Sequence, residues 1–114
     1  MNENQQKICL RAIDHFGVSA QKWKLVEELG ELLVEIAREQ IGRGNKEAIR
    51  EELADATIMC EQMRIVYGAK EVDGWIQRKL ARLCLLLRPK PDTLQRERQD
   101  SALKSLLNRF QKHE

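Results

Sequence analysis

Aromatic side chains are nearly absent from this chain: two Phe, two Trp and one Tyr in 114 residues. Any core must therefore be mostly aliphatic. Leu, Ile, Ala, Glu, Lys and Arg dominate instead, a composition that favours an all-helical protein. Proline occurs only at positions 89 and 91, so no proline breaks a helix before that point. Cysteine is scarce and odd in number. Cys9, Cys60 and Cys84 form no CxxC pair, which argues against zinc and against a disulfide framework. All three fall in apolar helical patterns and read as buried free thiols, which suits a reducing cytoplasm. The two histidines, His15 and His113, are too far apart in sequence to suggest a metal pair, and His15 reads as a surface residue. No apolar run approaches the ~20 residues of a membrane span, and the polar start, Met1 to Lys7, does not read as a signal peptide. The net charge of +2 carries no footprint of nucleic acid or membrane.

What the chain does have is charge, unevenly placed. A third of its residues are charged, as amphipathic helices with solvated outer faces require. Residues 27–55 hold nine acids and four bases, whereas residues 75–114 hold four acids and ten bases. The length suffices for one domain with a modest core.

The apolar period predicts five helices, over about 3–16, 19–41, 46–67, 71–87 and 93–112. Gly17 stops the first and Ser19 is a plausible N-cap for the second. The loop Gly42-Arg43-Gly44-Asn45 ends the second, Gly68 ends the third, and Pro89-Lys90-Pro91-Asp92 breaks the chain after the fourth. Leu25, Leu29, Leu32, Leu33 and Ile36 form the stripe of the second helix. Ile49, Leu53, Ala56, Cys60 and Met63 form that of the third, with Met59 also core. Trp75 joins the apolar positions of the fourth. Short loops between long helices imply antiparallel neighbours. The fold class expected is an antiparallel bundle of four to five helices.

Two acidic motifs sit one helix apart. Glu27-Glu28-Leu29-Gly30-Glu31 lies on the second helix, and Glu51-Glu52-Leu53-Ala54-Asp55 on the third. Carboxylates three residues apart share a helix face. A helical wheel puts Glu28, Glu31 and Glu35 along one edge of the second helix's apolar stripe, and Glu52 and Asp55 in the matching position on the third. Acids at such margins are partly desolvated and can meet across a helix–helix groove. A single EExxE is ordinarily a solvated face, but matched pairs on consecutive helices are not so easily explained. Local bases are few: Lys24 can reach Glu28, and Arg38 can reach Glu31 or Glu35. Converging carboxylates need a cation, and an oxygen-preferring ion such as Mg²⁺, which usually arrives with phosphate, fits best.

The runs Lys24-Leu25-Val26-Glu27-Glu28-Leu29-Gly30-Glu31-Leu32 and Glu51-Glu52-Leu53-Ala54-Asp55-Ala56 resemble the EExxE…ExxD pattern of the MazG-like all-α nucleoside triphosphate pyrophosphohydrolases. Twenty residues separate Glu31 from Glu52, within that family's spacing. The resemblance covers about residues 5–88. It implies a MazG-like helical domain over 1–88 and a C-terminal helical extension over 89–114, completed by assembly as a homodimer or homotetramer. It implies Mg²⁺-dependent cleavage, with Mn²⁺ as a substitute, of a nucleoside triphosphate to the monophosphate and pyrophosphate, a reaction that cleanses the nucleotide pool. The metal ligands implied are Glu28, Glu31, Glu52 and Asp55. Glu27 or Glu28 takes the general-base role, and Glu35 is a candidate for a second ion. Lys79 and Arg82, basic residues of the fourth helix, are candidates for the triphosphate. Trp23, one turn before the acidic motif, is a candidate to stack on the base or else fills core or interface. The turn after Asp55 offers Met59, Cys60 and Gln62 where the family often shows an aromatic residue or Asn.

Two other classes compete. A di-iron carboxylate protein needs Glu-x-x-His, but here Glu31 and Asp55 stand where His would be required. A non-catalytic interaction or regulatory protein, with a basic C-terminal helix contacting its partner, is the alternative from a different class. The stretch Arg88 to Arg98 supports it only weakly, since it lacks interleaved aromatics.

Overall fold

The computed structural model describes residues 1–88 and 93–111, with side chains for 1–88 and 97–109. The described residues form five α-helices and no strand: α1 Glu3–Phe16, α2 Val18–Gln40, α3 Lys46–Tyr67, α4 Ala69–Leu86 and α5 Thr93–Gln111. The expected Pro89–Asp92 break, the side chains of Leu94 and Phe110, and residues 112–114 lie outside this description. The chain divides into two compact units, Met1–Asp73 and Gly74–Glu114, with α4 running through the division.

In the first unit, α1 opens on a capping box. Asn2 accepts from the backbone N–H of Gln5, whose side chain accepts in return from the Asn2 N–H. A single residue, Gly17, ends α1 and starts α2 with φ +90°, a conformation that favours glycine. Ser19 therefore does not cap α2. It falls inside the first turn, because a one-residue link leaves no stretch in which a serine N-cap could sit. At the other end of α2 the chain turns sharply enough that a Cβ at Gly44 would meet the backbone of Glu39. Asn45 then caps α3, accepting from the N–H of Glu47 and of Ala48.

Helices α2 and α3 form the main packing pair, and α1 lies against both. They run antiparallel: the start of α2 meets the end of α3 through Gln21–Gln62 and Lys22–Tyr67, while Glu31, further along α2, meets Glu52, nearer the start of α3. Arg64 grips Asp73 with two nitrogens, tying α4 back to α3, and also binds Glu61 at 3.0 Å.

The buried apolar set is small: Cys9, Ala56, Met59 and Met63. The central position of α3 is therefore shared by Ala56, Met59 and Met63, as expected for the methionines, but the stripe is rotated from the expected one. Leu53 and Cys60 are exposed, because α1 and α2 cover the Met59 side of α3 instead. On α2, Leu29, Leu33 and Ile36 stay exposed, Leu33 at 70%. Three helices have too little surface to cover a stripe that wide. Of the three thiols only Cys9 is buried; Cys60 and Cys84 are exposed, which corrects the expectation of three buried ones.

The second unit holds the remainder of α4 and α5. Trp75 is exposed rather than core, with the Arg78 guanidinium 4.1 Å over its ring and Arg78 Nε donating to the Gly74 carbonyl. Ile76, Leu80, Leu83 and Leu85 to Leu87 are exposed, as are Leu103, Leu106 and Leu107 on α5.

A candidate metal centre between two helices

The antiparallel pairing brings Glu28 and Glu31 of α2 to Glu52 of α3, with one carboxylate oxygen from each lying within 4.8 Å of the others. Spacing explains the α2 contribution: Glu28 and Glu31 are i,i+3 and so sit on one face. Gly30 lies between them on the wall of a groove of about 630 Å³ that also takes in Glu27, Glu31, Val34, Glu35, Arg38 and Glu52.

Burial sharpens the cluster. Glu28 is only 5% exposed, Glu52 is half-buried and Glu31 faces solvent. Glu28 Oε1 bonds the Lys24 ammonium at 3.0 Å, which raises the Lys24 pKa, the neighbouring Glu27 carboxylate adding to the effect. Glu28 Oε2 is buried and has no hydrogen-bond partner, and neither has Glu52 Oε2. Buried carboxylate oxygens without donors are costly and rare. Desolvation pushes Glu52 up to about 7. A hydrogen bond to Glu31 and the charges of Glu31, Glu28 and Asp55 push the same way. Glu52 therefore holds its proton more tightly than an ordinary glutamate, which lowers the negative charge of the cluster.

Each residue singled out from sequence has a definite place. Glu28, Glu31 and Glu52 converge. Asp55 is half-buried one turn further along α3, close enough for its charge to act on Glu52 but outside the group of three. Glu27 is exposed on the groove wall, 3.5 Å from Lys24. Glu35 lines the same groove but is held by Arg38 at 3.0 Å. Trp23 is 71% exposed and is not among the groove's lining residues. Lys79 and Arg82 are exposed on α4 in the second unit.

One feature escaped the sequence reading. Gln21 and Gln62 are both buried and bonded to each other at 2.6 Å, two turns from Glu28 and Asp55 respectively along the same helix edges. The heptad spacing of Gln21 to Glu28 and of Asp55 to Gln62 was the available signal.

The donor set is all oxygen, anionic and partly desolvated. It fits a hard divalent cation such as Mg²⁺ or Mn²⁺ and lacks the nitrogen and sulfur ligands that zinc prefers. Comparison with protein-family models, with curated proteins and with solved structures finds no match to this chain.

Proposed function

We propose that this chain is a Mg²⁺-dependent nucleoside triphosphate pyrophosphohydrolase of the MazG-like kind, acting as a homodimer or homotetramer. The observation that carries the reading is Glu28: a carboxylate 5% exposed, with an unpartnered oxygen, beside Glu31 and Glu52. Such an arrangement is unfavourable unless a cation completes it. The EExxE…ExxD resemblance supplies the reaction class, and the broad stripe of exposed leucines on α2 supports assembly.

In this reading Glu28, Glu31 and Glu52 hold the ion, with Asp55 adding negative charge. A bound Mg²⁺ supplies charge neutralisation for phosphate oxygens and a more acidic water. Glu27, exposed beside the cluster, accepts the proton of the attacking water, with Glu28 the other candidate. Trp23, exposed on α2, stacks on the base.

The test is a screen of ribo- and deoxyribonucleoside triphosphates with Mg²⁺, scoring pyrophosphate release, beside melting curves in Mg²⁺ and Mn²⁺. Release of pyrophosphate and a raised melting temperature are expected. Ion-dependent stabilisation without turnover would favour a nucleotide-binding module that does not hydrolyse. No response to millimolar ion, with or without nucleotide, would remove the site.

A further inference from the structure

Lys24 occupies an unusual position for a base beside a cation site. Its ammonium lies 3.0 Å from Glu28 Oε1 and 3.5 Å from Glu27 Oε2. The Glu28 side chain is 6% exposed, whereas that of Lys24 is 48% exposed. One oxygen of the buried carboxylate is therefore already engaged by a positive charge that faces solvent, while the other is unpartnered beside Glu31 and Glu52.

We propose that Lys24 is a resident counter-cation that makes the carboxylate site take a divalent ion jointly with an oligophosphate rather than as the bare ion. The proposal rests on the reading of Glu28, Glu31 and Glu52 as a divalent-cation site. A bare ion joining Glu28 would share that carboxylate with the ammonium already on it. Two like charges would then stand on one carboxylate, at a margin where burial weakens solvent screening. Lys24 thus opposes the ion alone.

An oligophosphate reverses the sign. Mg²⁺ and Mn²⁺ accept phosphate oxygens readily alongside a few carboxylates. The same anion offers acceptors to an ammonium that is half in solvent, without requiring Lys24 to leave α2. Lys24 then favours the ion–anion pair. Linkage makes the coupling reciprocal: whatever factor the anion adds to ion affinity, the ion adds to anion affinity.

The experiment is calorimetric titration of the full chain with Mn²⁺ and, separately, with preformed Mn²⁺–triphosphate, using inorganic triphosphate so that base recognition plays no part. Wild type should take the complex at least about tenfold more tightly than the bare ion. Lys24→Met keeps the aliphatic stem and should bind the bare ion roughly three- to tenfold more tightly than wild type, by removal of a nearby like charge. It should also lose most of the preference for the complex. Lys24→Arg keeps the charge and should follow wild type.

Bare-ion affinity unchanged or weakened in Lys24→Met overturns the proposal, as does Lys24→Arg behaving like Lys24→Met. The cation-site reading is judged separately, by Glu52→Gln. Mn²⁺ uptake that Glu52→Gln abolishes upholds the site whatever Lys24 does. No uptake by wild type in either titration removes the site and the proposal with it.

Discussion

Gln21 donates through Nε2 to Gln62 Oε1 at 2.6 Å, a hydrogen bond between two buried side chains forty-one positions apart. It fixes the register of α2 on α3, and that register decides which carboxylates meet. Gln62 Nε2 in turn points at the Met59 sulfur, 3.7 Å away, a weak acceptor. Gln21→Leu should destabilise by about 1–3 kcal/mol, because Gln62 is left buried without its partner. Adding Gln62→Leu should recover much of that loss. Urea unfolding of the two single variants and the double variant measures this, and an additive double loss would mean the pair is not coupled.

The pH dependence follows from Glu52. Burial first, then the hydrogen bond to Glu31 and the surrounding carboxylate charge, hold its folded pKa at about 7, against 4.5 for an ordinary Glu. Between those values the folded chain binds more protons than the unfolded one. The contribution to stability is therefore full below about pH 4.5 and is lost as pH rises through 7. The urea midpoint of wild type should drop relative to that of Glu52→Gln across this window. Parallel profiles for the two proteins would contradict the raised Glu52 value.

Charge removal at the same residue should separate stability from activity. Glu52→Gln relieves repulsion and should be no less stable than wild type without ion. It should lose the thermal response to Mg²⁺ and release pyrophosphate on the order of 10²-fold more slowly. Glu47→Gln, at an exposed residue paired with Arg50 at 3.1 Å, should be silent in both assays. Equal turnover in wild type and Glu52→Gln would place catalysis elsewhere.

Gly30 lies within the unbroken α2, and a Cβ there would meet nothing within 4 Å among the described residues. Gly30→Ala should raise stability by up to about 1 kcal/mol through helix propensity. The added methyl would enter the groove shared with Glu31 and Glu52, so triphosphate affinity should fall as stability rises. Denaturation and calorimetry on one sample test both halves.

Assembly should be visible directly. Leu29, Leu33 and Ile36 repeat at helical spacing on α2 and all are exposed. Light scattering at micromolar concentration should give a dimer or larger species, with a melting temperature that rises with protein concentration. Leu33→Glu should shift it toward monomer. A monomeric wild type would leave those leucines without a partner copy.

Helix identity was legible in the sequence because period and punctuation agreed. Gly17, Gly68 and Asn45 sit where α1, α3 and the α2–α3 loop end, and α1 and α3 have the expected bounds. The meeting of Glu28 and Glu31 with Glu52 was legible too, since both wheel positions flank an apolar stripe. What sequence could not give was which part of each stripe a neighbour covers. Leu53, Cys60 and Trp75 look like core by period, but their exposure depends on where α1 and α2 rest and on how little surface they offer. Nor does a wheel rank Asp55 below Glu52. That depends on where along the groove α2 presents Glu28 and Glu31, and the Gln21–Gln62 pair holds that alignment.

Burial of a single thiol gives the chain a built-in clock. Cys9 lies on the buried face of α1, its pKa raised first by desolvation and then by the negative charge of Glu61. A thiol so placed reacts only when α1 lifts from α3. With Cys60 and Cys84, both exposed, replaced by serine, the rate of Cys9 alkylation becomes the frequency at which the first helix opens. An ion or nucleotide that tightens α2 against α3 would slow that rate, so occupancy of the carboxylate site would be readable in time rather than in heat or product.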